Sequence, residues 1–286
     1  MLALAAAVLW GGGDFSGGMG AKQAGGAVPG TLRVVLTSHA ASFCVLVALA
    51  SLLGDPFPRG APLAWGVFAG VMGGLSLTGF YVALSRGAMG VSAAISGLLA
   101  AAIPAAISMI QDGWPGWLRV FGFVVAGASI WMIAAGDNPE AKPVSRGTMW
   151  LAILSGAGFG VYFTALKFAG VAGVIWPMAT ARIGSLTTCS VLLVVTALTG
   201  NRYSGAGWLP QRAVLWALST AVLDTSGNLL FIASTRAGRL DVAAVLASLY
   251  PASTILLAAW TLHERPTRRQ GIGMLVAAAA VVMITL

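Results

Sequence analysis

The sequence predicts an all-α integral membrane protein of ten transmembrane helices, arranged as two inverted five-helix repeats around a central cavity. Three observations predict it. Of 286 residues, 58% are hydrophobic and only 8% are charged, with a mean hydropathy of +0.89; soluble domains carry about 25% charged residues and need them to face water. A helical crossing takes about 20 apolar residues, so this length holds roughly ten crossings with short connections and little extramembrane mass. Finally, landmarks of the first half return in the same order about 150 residues later.

Proline, glycine and charge punctuation sets the elements. The first apolar stretch, 2–21, resembles a secretory h-region, but no basic residue precedes Lys22 and no convincing cleavage site follows, so it is expected to be the first transmembrane helix. Helices over 29–53, 62–85, 89–110 and 116–135 complete the first repeat, residues 1–135. A polar linker, 136–147, carries Asp137, Glu140, Lys142 and Arg146. The second repeat, 148–286, is read as helices over 148–169, 174–199, 213–235, 240–262 and 268–286. Pro104 and Pro251 interrupt the fourth and ninth helices, where a kink can free a carbonyl toward a cavity.

The repeat is read from matched landmarks. Lys22 answers Lys167, Pro29 with Arg33 answers Pro177 with Arg182, and Ala93-Ala94 answers Ala243-Ala244. Trp65 and Arg86 bracket the third helix as Trp216 and Arg236 bracket the eighth. Five is odd, so the second unit must enter from the opposite face, the layout by which many secondary transporters build a midplane site with two-sided access. Glycine is dense along these helices, as at Gly11-Gly12-Gly13, Gly70 and Gly73-Gly74; between lipid-bathed helices such residues chiefly permit close backbone packing.

Composition also limits function. The net charge of +8 is scattered singly between apolar runs, which suits anionic lipid headgroups and not nucleic acid. Cys44 and Cys189 lie inside apolar segments and read as small packing residues. No lysine follows a glycine, which removes a Walker A loop, and H-E-x-x-H, G-x-S-x-G, G-x-G-x-x-G and C-x-x-C are all absent. No catalytic residue, metal or cofactor is expected, and transport must be downhill, exchange, or coupled to an ion gradient.

Ionisable groups inside hydrocarbon cost about 2.5 to 3.5 kcal/mol on insertion scales, so those that persist face a cavity or a partner. Asp14, within Trp10-Gly11-Gly12-Gly13-Asp14-Phe15, and Asp224, near the middle of the eighth helix, are the candidate proton or cation sites; each alternatively ties its helix to a neighbour. Arg33 and Arg182 stand at matching places in the two repeats, as anion clamps beside a pocket or as helix-end residues reaching headgroups or a carbonyl. His39 lies at membrane depth as a proton relay, a substrate contact or a packing residue. Tyr81, Tyr162, Tyr250 and Asn228 are pocket candidates with hydrogen-bonding tips, Trp10 belongs with them, and Trp131, Trp176 and Trp260 read as interfacial belt residues.

Leu9-Trp10-Gly11-Gly12-Gly13-Asp14-Phe15 with Lys22, the two Pro-to-Arg helix starts, and Glu264-Arg265-Pro266-Thr267 resemble the EamA-like branch of the drug/metabolite transporter superfamily, over essentially the whole chain. The resemblance implies a ten-helix basket around one cavity, alternating access, and export of small metabolites or drug-like amphiphiles across a bacterial plasma membrane, by proton coupling or exchange, as a monomer or homodimer. It also implies cytoplasmic termini. The charge count implies the reverse, with five loop cations on the side of the termini and nine on the other. The first half departs from the pattern at 111–115, where no clean Glu-Arg stands. Two other functions fit less well: a membrane-embedded enzyme acting on a lipid-linked substrate, which eight dispersed acids do not favour, and a non-transporting scaffold.

Overall fold

The computed structural model describes residues 1–86, 89–134, 145–199, 209–261 and 267–286. Most of the expected polar linker lies outside these, as do Arg202, His263 and Glu264-Arg265-Pro266. The described residues form helices and their connections only: α1 (Leu2–Gln23), α2 (Val28–Leu53), α3 (Ala61–Ser85), α4 (Met89–Gln111), α5 (Trp117–Ala134), α6 (Arg146–Ala169), α7 (Ile175–Leu198), α8 (Gln211–Ala237), α9 (Leu240–Ala247), α10 (Tyr250–Thr261) and α11 (Arg268–Thr285).

Local chemistry sets the ends. Proline opens α2 and α3, where its missing N–H costs nothing. Gly54 closes α2 at φ +70°, a left-handed conformation that glycine takes without a Cβ clash. The Ser145 hydroxyl accepts the Thr148 N–H to cap α6. At α11, Thr267 Oγ1 accepts from Gln270 N while Gln270 Oε1 accepts from Thr267 N, a reciprocal capping box.

Among the described residues, seven helices are long and apolar enough to cross a membrane: Val28–Leu53, Ala61–Ser85, Val91–Gln111, Arg146–Ala172, Ile175–Leu198, Gln211–Ala237 and Arg268–Thr285. Trp117–Ile133 and Leu240–Thr254 are shorter apolar helices. The chain is thus a multi-pass membrane protein. α1 is not among the seven, and its place explains why. Every residue from position 10 to 18 is buried, so protein and not lipid surrounds it, and glycines with one acid are tolerated. The helix expected over 240–262 is broken at Ser248 and Leu249. Pro251 has no N–H to offer the carbonyl four residues before it, and the chain bridges the gap with tighter bonds, Leu249 N to Leu246 O and Ala252 N to Leu249 O. Pro104, by contrast, stays inside a continuous α4.

α1 packs on α8 and α10, α3 on α6 and α7, α4 on α6 and α9, α2 on α7 and α8, and α5 on α11. Small residues bring the axes together. A Cβ on Gly70 would collide with the Ala181 carbonyl, and one on Gly184 with the Val67 carbonyl, so α3 and α7 meet almost backbone to backbone.

Candidate functional site

The site begins with the glycines of α1. A Cβ at Gly13 would lie 3.2 Å from the Asp224 backbone nitrogen, so its absence lets α8 approach and sets Asp14 and Asp224 at one level. Thr220 Oγ1 donates to the Gly13 carbonyl at 3.3 Å, and Thr254 Oγ1 to the Gly11 carbonyl at 3.3 Å, pinning α1 to α8 and α10. Gly17 leaves room for the Tyr81 ring, and Gly227 for Trp10.

Two adjoining cavities result, with empty volumes of about 280 and 320 Å³ including their open mouths. Both are narrow enough that their free space suits waters and not a drug-sized solute. Leu77, Phe159, Tyr162 and Asp224 line both. The larger adds Trp10, Asp14, Phe163, Asn228 and Tyr250; the smaller adds His39, Arg182, Ser185 and the glycine face of α3.

Asp224 and Arg182 form an ion pair, Nη2 to Oδ2 at 2.6 Å, and the same nitrogen donates to Thr225 Oγ1 at 3.0 Å. Arg182 is 3% exposed; a guanidinium that deep survives because a carboxylate compensates it. Asn228 Nδ2 donates to the Asp224 carbonyl at 2.7 Å, and its Oδ1 accepts the Tyr162 hydroxyl at 2.8 Å. His39 Nδ1 meets Ser185 Oγ at 2.7 Å, while Ser185 donates to the Arg182 carbonyl at 3.1 Å. Asp14 is 9% exposed and makes no hydrogen bond or ion pair among the described residues. Around it stands an aromatic wall. Trp10 stacks on Phe163 with centroids 4.8 Å apart and 10° between planes, and Phe231 lies 5.4 Å from Trp10 and 4.9 Å from Phe163.

Of the residues singled out from sequence, Trp10, Asp14, Tyr162, Asn228, Tyr250 and Asp224 meet at one cavity, and His39, Arg182, Tyr162 and Asp224 at its neighbour. Tyr81 is buried but lines neither; its ring fills the space over Gly17. Arg33 lines neither and is half-buried in the first turns of α2, whereas Arg182 lines the smaller cavity. Cys44 is exposed on α2, and of the two cysteines Cys189 alone is a buried packing residue. Trp131 and Trp260 are exposed near helix ends as belt residues would be, while the half-buried Trp176 donates to the Asp55 carbonyl at 2.8 Å. Ser185, Phe159 and Phe163 were not foreseen. Among the described residues no three of His, Cys, Asp and Glu come together to hold a metal ion.

No curated protein matches the sequence. One crystal structure superposes with a TM-score of 0.73 over 99% of this chain and 95% of its own length, at 14% identity, a likeness of fold alone. The family model of the EamA-like transporter family matches residues 146–286. Its apolar helices and this match make the protein a membrane transporter, and through its second half the chain belongs to the EamA-like transporter family.

Proposed function

We propose that the chain is a secondary transporter working by alternating access around the paired cavities, with Asp14 as its coupling group. The observation that carries this reading is the unequal treatment of two neighbouring acids. Asp224 is neutralised by Arg182, whereas Asp14 has no cation in contact and must take its neutralising charge from a proton or a positively charged solute. One site that holds either, but not both, is the minimum for coupling a proton gradient to solute movement or for exchange. The inverted-repeat reading, 1–135 against 148–286, is supported by the helix pairings. Exchanging α1 with α6 and α3 with α8 turns the α1–α8 contact into the α6–α3 contact, and α2 meets α7 and α5 meets α11 as self-exchanging pairs. Tyr81, Arg33 and His39 would act around the pocket as shaping residues. Export, and residence as a monomer or homodimer in a bacterial plasma membrane, rest on the family likeness.

The test is transport by the purified chain in proteoliposomes under an imposed pH gradient, with amino acids, nucleosides, sugars and amines offered in turn. Wild-type protein is expected to accumulate at least one class in a gradient-dependent manner, and Asp14→Asn to lose that accumulation while folding normally. Equal accumulation by the Asn variant removes Asp14 from coupling; no driven solute in any class removes secondary transport.

A further inference from the structure

We infer that the face of the bundle opposite Asp112 is a docking surface for anionic phospholipid headgroups, held by Arg146, Arg212 and Arg268 in the first turns of α6, α8 and α11. Contacts between helix ends define the two faces. Lys167 meets Asp112, Arg239 donates to the Gly113 carbonyl and Arg236 to the Gly170 carbonyl, so α4, α6 and α8 end together. Their first turns therefore lie together on the opposite face. α5 starts just past Gly113, and α11 runs antiparallel to it, since a Cβ on Gly122 would meet Ile284 and one on Gly273 would meet Ile133. α11 thus begins on that opposite face as well. α1 ends there too, because a Cβ on Gly20 would lie 3.3 Å from Trp216 near the start of α8.

Charge separates the two faces. Among the described residues, Lys22, Arg86, Arg146, Arg212, Arg268 and Arg269 stand on this face with no acid, whereas Asp55, Asp112 and Asp241 all stand on the other. Asp137, Glu140 and Glu264 fall outside the described residues, and nine cations in the sequence of the same connections outnumber them. The Arg86 guanidinium reaches the start of α6, where its Nη1 is 4.0 Å from the place of a Cβ on Gly147. A second cation therefore stands beside Arg146, and no acid occupies the first turn of α6, α8 or α11. A cation at a helix N-terminus opposes the dipole, so an anion outside the face offsets both positive charges at once. One turn deeper on the same three helices, Trp150, Leu215 and Ile272 are each more than half exposed. Spacings of three or four residues set each below its arginine on one side of the helix, so a phosphodiester meets the guanidinium while its acyl chains lie along the apolar residue. A soluble anion uses the first contact only. A lipid uses both, and the guanidinium fork matches phosphate oxygens.

The full chain, purified in a neutral detergent, is titrated with phosphatidylglycerol, phosphatidylcholine or glycerol 3-phosphate while its thermal unfolding is followed. Phosphatidylglycerol is expected to raise the unfolding temperature at a half-maximal concentration at least about tenfold below that of phosphatidylcholine. The preference should shrink as salt rises from about 50 to about 500 mM, and glycerol 3-phosphate should have no effect at millimolar concentration. The triple variant Arg146→Gln, Arg212→Gln, Arg268→Gln should lose the preference, and lysine at the same three positions should keep most of it. Arg59→Gln, which removes an exposed cation from the other face, should leave it unchanged. Equal stabilisation by the two lipids, or a preference that salt does not weaken, overturns the inference. So does equal stabilisation by glycerol 3-phosphate, because the face then binds a free anion and not a bilayer. A preference that survives in the triple glutamine variant, or that Arg59→Gln removes as fully, overturns the assignment to this face. Should the triple variant not fold, each single glutamine variant is expected to weaken the preference several-fold, and three single variants without effect overturn the inference in the same way.

Discussion

The ion pair between Arg182 and Asp224 is the most consequential contact at the residue scale, because each partner is tolerable only with the other. Removing one charge strands its partner at membrane depth, which for buried pairs costs about 3–5 kcal/mol. Arg182→Ala is therefore expected to lower thermal stability sharply, and Arg182→Ala with Asp224→Asn to recover much of the loss; a double variant no more stable than the single would show that shape, not charge, sets the cost. The same contact shows how far the site was legible. Acids inside an apolar run are conspicuous, because hydrocarbon penalises them, so Asp14 and Asp224 could be found from sequence alone. Their different fates could not, since the arginine that compensates Asp224 lies 42 residues away on another helix. Ser185, Phe159 and Phe163 carried no signal because serine and phenylalanine recur throughout such a chain, and only packing selects these three. Arg33 matches Arg182 in register, yet only Arg182 lines a cavity, because register alone does not decide which helix face a repeat turns inward.

Among the elements, helix positions were readable to within a few residues, since apolar length and proline or glycine punctuation have a local physical cause. The gap between α9 and α10 was legible only as a kink at Pro251, and the extent of the break depends on what neighbouring helices offer the freed backbone. Helix contacts were less readable still, because a glycine on a transmembrane helix looks the same whether it faces a backbone or open space. Two glycines separate those cases. Gly70→Ala places a methyl against the Ala181 carbonyl where α3 crosses α7, and overpacking of this kind costs about 1–3 kcal/mol. Gly271 in α11 has no atom within 4 Å of the corresponding position, so Gly271→Ala is expected to be neutral or to stabilise by up to about 1 kcal/mol through helix propensity. Thermal unfolding of the two variants in the same detergent measures the contrast, and equal effects would refute the close α3–α7 packing.

Across the whole molecule, a polar knot at the ends of α4, α6 and α8 ties the two halves of the chain together. Lys167 Nζ, in the last turn of α6, lies 3.2 Å from Asp112 Oδ2 just past α4. Arg239, after α8, donates to the Asp112 and Gly113 carbonyls at 3.0 and 2.7 Å while chelating the buried Asp241. Arg236 reaches the Gly170 carbonyl beside them, and the Trp176 bond to Asp55 lies between α2 and α7. Any motion that opens the cavities past this cluster must break some of these bonds. Asp112 makes the knot sensitive to acid: the Ser108 hydroxyl, 2.6 Å away, and then the Lys167 ammonium hold its carboxyl below the ordinary aspartate range. A carboxyl lowered on folding stabilises the folded state fully above its unfolded value, about pH 4, and that contribution disappears as pH falls through the lowered folded value. Because the pair is partly exposed, with side chains 21% and 32% accessible, the contribution is at most about 1 kcal/mol. Asp112→Asn should accordingly unfold a few degrees below the wild type at neutral pH, with the gap narrowing below about pH 4 and closing once the pH is below the lowered folded value, where both carry an uncharged group at this position. A gap that stays constant through that range would mean that the Arg239 bonds to the backbone carbonyls, and not the Asp112 charge, hold the knot.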